Sequence, residues 1–117
     1  LVSNVRGKLK KGIDALHAYI AVMNMGTLTG APKLEAMKLL RKYEKTKRGF
    51  YGGSVGYINP NGDLDSAIVI RSILIKGGKA YVRAGAGIVY DSNPEAEFME
   101  TEFKAMACLK ALELAEY

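Results

Sequence analysis

The spacing of apolar residues changes several times along this chain, and each change marks an element. Over Leu1 to Leu9 they alternate loosely with polar residues, which predicts a strand. From Ile13 the period lengthens. Ile13, Leu16, Ile20 and Met23 fall on one helical face, and that helix should end near Asn24, because Gly26, Gly30 and Pro32 interrupt the pattern beyond it. A second helix should start near Pro32, a residue suited to a first turn, with Leu34, Met37, Leu40 and Tyr43 as its apolar stripe. Gly49, Gly52 and Gly53 then make a tight segment. Three strands come next: Ser54 to Ile58, Asp65 to Ile75 and Ala80 to Tyr90. Asn61-Gly62 and Gly77-Gly78 between them are hairpin turns. The long apolar run of the middle strand predicts a central position covered on both faces. Asp91-Ser92-Asn93, Pro94 and Glu95 open a last helix, expected from Pro94 to near Glu116. Consecutive strands joined by short turns, with helices before and after, define an α+β fold: an antiparallel sheet backed by helices.

The chain has 117 residues, enough for one domain, and 49% of them are apolar, enough for a packed core. The apolar run from Ser66 to Leu74 is interrupted by Arg71 and is far too short to span a bilayer, so no membrane role is expected. Cys108 is alone and sits among helical apolar residues, which reads as a buried, inert thiol. One Cys and one His (His17) do not make a closed zinc site. The net charge is +5, with basic clusters at Lys8, Lys10 and Lys11 and at Lys42, Lys45, Lys47 and Arg48. Such runs bind polyanions or simply face solvent, and no nucleic-acid-binding signature accompanies them.

Four segments carry possible chemistry. Gly26-Thr27-Leu28-Thr29-Gly30-Ala31-Pro32-Lys33 reads equally as a helix-capping loop or as a cradle of N–H groups for an anion; its glycine spacing is not that of a phosphate-binding P-loop. Gly85-Ala86-Gly87 is either a bulge in a strand or two glycines that expose backbone N–H groups to an anionic ligand. A dinucleotide site would need a third glycine and an immediate helix. Glu97, Glu100 and Lys104 lie within about 60° of one another on the last helix. They form an ordinary ion pair on a wet face, or two carboxylates able to hold Mg²⁺ beside a cation. Arg71, inside Ile68-Val69-Ile70-Arg71-Ser72-Ile73, emerges at a sheet edge or meets a carboxylate with its planar fork.

Together these segments resemble one family. Gly26 to Lys33, Arg48-Gly49-Phe50-Tyr51-Gly52-Gly53, Ala67-Ile68-Val69-Ile70-Arg71, Ala84-Gly85-Ala86-Gly87-Ile88-Val89, and Asp91-Ser92 followed by Glu97, Glu100-Thr101 and Lys104 are similar, in order and spacing, to the chorismate-binding enzymes. The resemblance covers essentially the whole chain. Within that family, Met25-Gly26-Thr27-Leu28, Gly52 to Tyr57 and Ala84 to Gly87 look most like the anthranilate synthase branch. The aminodeoxychorismate, isochorismate and salicylate synthases are the alternatives.

The resemblance implies that Thr27 and Tyr51 are catalytic residues that line the substrate site. It implies that Arg71, Lys104 and the backbone of Gly85, Ala86 and Gly87 hold the substrate carboxylates, and that Glu97 and Glu100 bind Mg²⁺. The implied reaction joins ammonia from a glutamine amidotransferase partner to chorismate and releases pyruvate, in the cytoplasm. Leu1-Val2-Ser3 lacks an initiator Met and reads as the middle of a strand, so residues 1–117 are expected to be the C-terminal part of the catalytic domain. A histidine that the family carries just upstream would then be absent, and His17, inside a helix, cannot take its role. Such a piece is expected to be inactive alone and to self-associate or pair with the rest of its domain. The reading from a different class is a basic polyanion-binding module, supported only by the lysine runs.

Overall fold

A computed structural model describes residues 2–115. The first helix, α1 (Ala15–Val22), starts at Asp14, whose carboxylate accepts the His17 amide at 2.9 Å and meets the His17 ring at 2.6 Å. The amide bond is the main cause of an Asp14 carboxyl pKa below its ordinary value, and the bond to the ring adds to it. His17 therefore serves a helix end at the surface. A one-turn helix, α2 (Gly26–Thr29), occupies part of what the sequence predicts as a loop. It closes because the Met25 carbonyl accepts from the Leu28 and Thr29 amides and the Thr29 hydroxyl, while the Gly30 amide returns to the Gly26 carbonyl. Gly30, at φ 99°, then turns the chain out of the helix. The third helix, α3 (Lys33–Tyr43), begins directly after Pro32.

Two antiparallel hairpins follow. In the first, β1 (Ser54–Ile58) pairs with β2 (Leu64–Ile68), placing Ser54 opposite Ile68 and Tyr57 opposite Asp65. In the second, β3 (Ile73–Lys76) pairs with β4 (Lys79–Val82) across Gly77 and Gly78, both at positive φ as a tight two-residue turn requires. The last helix, α4 (Pro94–Ala115), packs against β4. The Asn93 side chain caps it by accepting the Ala96 amide at 2.9 Å. The antiparallel α+β class is as expected.

Several boundaries differ from the sequence pattern. The expected strand at Leu1 to Leu9 is absent over residues 2–9, while Leu1 lies outside the described residues. Val2 and Val5 are almost fully exposed, and no described residue offers this stretch a hydrogen-bonded edge, without which alternation makes no strand. The continuous central strand expected from Asp65 to Ile75 is two strands. The Ile70 amide bonds back to the Ile68 carbonyl, and Arg71 takes φ 53°, which redirects the chain before β3. The strand expected over Ala80 to Tyr90 stops at Val82, where its partner runs out at Ile73. Glu116, the expected end of the last helix, lies outside the described residues.

The packing is open. Among the described residues only Cys108, at 6% exposure, is a buried apolar side chain, in line with its expected burial. The accessible surface is 10181 Å², whereas a compact chain of this mass would show roughly 6,200 Å². The radius of gyration is 17.1 Å, against about 13 Å for a compact chain of this length. The stretch expected as a central strand is thus not covered on both faces, since Leu74 and Ile75 are exposed; Val55, Tyr57 and Ile58 on β1 and Phe98 and Phe103 on α4 also stand in the open. The excess surface exceeds the roughly 1,200–2,000 Å² of a standard protein interface. The isolated chain should therefore associate. Sedimentation velocity should show species larger than a monomer that grow with concentration, and a compact monomer at all concentrations would contradict this.

Candidate functional site

The site is built around the ends of β2 and β4 and the first turns of α4. The Gly52 amide donates to the Val69 carbonyl at 2.9 Å, and the Val69 amide to the Gly53 carbonyl at 3.0 Å. These bonds clamp the Tyr51–Gly53 turn to the strand that delivers Arg71 two residues later. The Tyr51 hydroxyl lies against Gly85: a Cβ built there would sit 3.2 Å from it, so a larger residue would crowd the phenol. Beyond β4, the amides of Gly85, Ala86 and Gly87 have no hydrogen-bond acceptor among the described residues.

The α4 side chains complete the cluster. Lys104 donates to the Gly85 carbonyl at 3.1 Å and pairs with Glu100 one helical turn earlier. The ordinary i,i+4 ion pair therefore forms, and it forms against the glycine segment. The hydrogen bond from Lys104 is the chief cause of a Glu100 carboxyl pKa below its ordinary value, with Glu97 and the Arg71 charge contributing. Arg71 thus lies near enough to Glu100 to act on it electrostatically. One Glu97 oxygen accepts from the Ser92 hydroxyl at 2.7 Å, and that hydroxyl accepts the Val89 amide at 3.0 Å. The second Glu97 oxygen is buried and has no hydrogen-bond partner among the described residues. A buried carboxylate oxygen without a donor is costly unless a cation reaches it.

The donor set therefore fits a hard divalent cation. Glu97 offers that oxygen and Glu100 lies beside it, which suits Mg²⁺, an ion that commonly takes one or two protein carboxylates and completes its octahedron with water and substrate oxygens. No group of three or more His, Cys, Asp or Glu able to hold a metal occurs among the described residues.

Of the residues implied by resemblance, Tyr51 and Lys104 both meet Gly85, which Ala86 and Gly87 follow; Glu100 pairs with Lys104, Glu97 lies one turn before Glu100, and Arg71 bears on Glu100 through its charge. Thr27 takes part in none of the hydrogen bonds or ion pairs that join them. It is exposed on α2, whose next residue Leu28 lies beside Gly52 and accepts from Arg48 through its carbonyl. A cavity of about 450 Å³ lies between α2, α3 and the Thr46–Gly53 segment, with Tyr51 in its lining. It includes none of Arg71, Glu97, Glu100 and Lys104.

Two groups have roles that the sequence pattern does not reveal. Ser92 belongs to a capping segment by sequence, yet in the fold it orients Glu97, for which a sequence gives no signal. Arg48 belongs to a basic run by sequence, yet Glu44 grips its guanidinium with both oxygens, at 2.9 and 3.0 Å to Nε and 2.5 Å to Nη2. The i,i+4 spacing of Glu44 and Arg48 is the one clue to that pairing.

A family model described as chorismate binding enzyme matches residues 1–110. This chain belongs to the chorismate-binding enzymes. It is 59% identical over 112 residues to anthranilate synthase component 1 of Vibrio cholerae, covering 96% of this chain and 21% of that protein. It is 56% identical over all 117 residues to anthranilate synthase component 1 of Escherichia coli, covering 22% of that protein. A pyocyanine-specific anthranilate synthase component 1 of Pseudomonas aeruginosa is 56% identical over 116 residues. The chain thus spans about a fifth of the length of the curated relatives it matches. No helix among its described residues is long and apolar enough to cross a membrane.

Proposed function

We propose that this chain supplies part of an anthranilate synthase active site, where chorismate and ammonia become anthranilate, pyruvate and water. The observation that carries this reading is the convergence of Arg71, Lys104, two carboxylates and unpaired glycine N–H groups in a chorismate-binding chain closely similar to three anthranilate synthases. Chorismate is a dianion. Arg71, Lys104 and the amides of Gly85 to Gly87 offer it charge and donors already in place, which cost no reorganisation during reaction. Mg²⁺ held by Glu97 and Glu100 would add positive charge facing the ring carboxylate.

The balance of atoms is simple. Ammonia bonds to the ring as the hydroxyl leaves as water. A ring proton is then lost and the enol ether bond breaks, releasing pyruvate and leaving the aromatic amine. Tyr51 and Thr27 line the substrate site in this reading, which places the enzyme in the cytoplasm with a glutamine amidotransferase as its ammonia source. The polyanion-binding alternative loses support from Arg48, whose charge is paired with Glu44.

Glu97→Ala and Glu100→Ala in the complete enzyme distinguish the two. Each should weaken Mg²⁺-dependent chorismate binding by about 100-fold or more, since even residues that merely orient metal ligands matter tenfold to a hundredfold. Titration calorimetry reads this directly. Unchanged chorismate and Mg²⁺ affinity in both variants, with salt-sensitive nucleic-acid binding, would establish the alternative.

A further inference from the structure

One ion cluster, beside Tyr51, is made of residues to which no substrate or metal contact has been assigned. Glu44 ends α3. It takes the Arg48 guanidinium side-on, and its second oxygen also faces Arg83 at 3.7 Å. The three side chains are only about a quarter to a third exposed, at 29%, 24% and 32%. Arg48 donates its remaining nitrogen to the Leu28 carbonyl of α2 at 2.6 Å, and its guanidinium carbon lies 5.9 Å from the centre of the Tyr51 ring. Arg83 donates to the Lys47 carbonyl at 2.8 Å and the Thr46 hydroxyl at 3.0 Å.

This small cluster ties together four stretches of chain. They are the α2 turn that carries Thr27, the end of α3, the Thr46–Tyr51 loop, and the chain just past β4, two residues before Gly85. Arginine suits such a junction because its planar fork fixes several acceptors in one geometry. The Arg48 hydrogen bonds are the main cause of a Glu44 carboxyl pKa below its ordinary value, so the carboxylate stays charged as the hub at neutral pH.

We infer that Glu44, Arg48 and Arg83 are positioning residues, which hold the Tyr51 phenol against the Gly85 backbone and so set the shape of the surface that meets substrate. Their effect on turnover rests on the chorismate reading, but their effect on the Tyr51 loop does not. The cluster touches neither Glu97 nor Glu100, and no substrate contact is assigned to it. Displacements of about 1 Å at a reacting centre can cost about a hundredfold in rate, so a hub that sets this contact acts on kcat more than on KM.

The test is a double-mutant cycle in the complete enzyme with ammonium as nitrogen donor, joined to hydrogen exchange. Glu44→Gln and Arg83→Gln should each lower kcat about tenfold to a hundredfold, with KM for chorismate changed less than about threefold. In a Tyr51→Phe background the same substitutions should cost about twofold or less, because they act through that side chain. The amides of Tyr51, Gly52 and Val69 should exchange faster in Glu44→Gln, while those in the middle of α4 stay as protected as before. Equal losses in both backgrounds, or unchanged exchange at Tyr51, Gly52 and Val69, would overturn the assignment. If the complete wild-type enzyme forms no anthranilate while Glu44→Gln still loosens those amides, the reaction reading fails and the positioning role stands.

Discussion

Anthranilate fluorescence should appear when this chain is mixed with a separately prepared segment carrying the rest of a relative's sequence, in the presence of chorismate, Mg²⁺ and ammonium. Each piece alone should stay dark. Residues 2–115 carry the side chains proposed to meet chorismate, yet most of their large apolar side chains stand in water. The elements that carry Glu97, Glu100, Lys104 and Gly85 have little behind them: among the described residues α4 rests chiefly on β4, and β3 and β4 pair only with each other. Catalysis demands that groups be held within fractions of an ångström of a productive geometry, and small misplacements cost orders of magnitude. Burial of the exposed faces by a second segment would supply that rigidity, at about 25 cal/mol per Å² of apolar area removed from water. Excess ammonium removes the need for a glutaminase partner, so the outcome reports the chorismate chemistry alone. If the pieces fold and associate but a different product appears by mass, the site serves another chorismate reaction. Steady anthranilate formation by this chain alone would refute the need for a second segment.

The open packing also explains where the sequence is a good guide to the fold and where it is not. Local chemistry is legible. Asn61-Gly62 and Gly77-Gly78 are turns, and Pro94 opens α4 with Asn93 as its cap. Each of these depends on a few adjacent residues, whose conformational preferences act without outside help. Strands depend on a partner. Ser54 to Ile58 is a strand over the expected residues because Leu64–Ile68 folds back on it after a short turn. Val2 to Leu9 and Ile88 to Tyr90 have similar apolar character and no edge to bond, so they are not strands here.

The site obeys the same logic. Glu97, Glu100 and Lys104 share a helix face, and helical period alone predicts their proximity. The convergence of Arg71, Tyr51 and Gly85 on them is long-range, and only resemblance to a family suggests it. Composition does not show that Arg48 leaves the basic run to join Glu44, because its acceptor at Leu28 lies twenty residues away.

Arg71→Gly should separate stability from activity. Arg71 is the only residue other than glycine with positive φ among the described residues, at 53°. There the side chain crowds the backbone, at a cost of order 1 kcal/mol or more. Local bonds hold the conformation: the Ile70 amide returns to the Ile68 carbonyl, and the Ser72 hydroxyl donates to the Ile70 carbonyl at 2.9 Å. Glycine adopts the same angle without that crowding, although it adds freedom to the unfolded chain. The complete enzyme carrying Arg71→Gly should therefore be as stable as wild type or slightly more so, read as an equal or higher midpoint in urea. Its kcat/KM for chorismate should fall roughly 10²–10³-fold, the usual loss when a charged or hydrogen-bonding group facing the reacting substrate is removed. Arg71→Ala removes the same guanidinium but keeps a Cβ, so it should lose as much activity without the gain in stability. A strained backbone kept at a position where glycine would relieve it is what selection for a side chain's chemistry leaves behind. Were Arg71→Gly to lose stability and keep its activity, the guanidinium would be a structural brace, and the substrate carboxylate would have to be held by Lys104 and the Gly85–Gly87 amides without it.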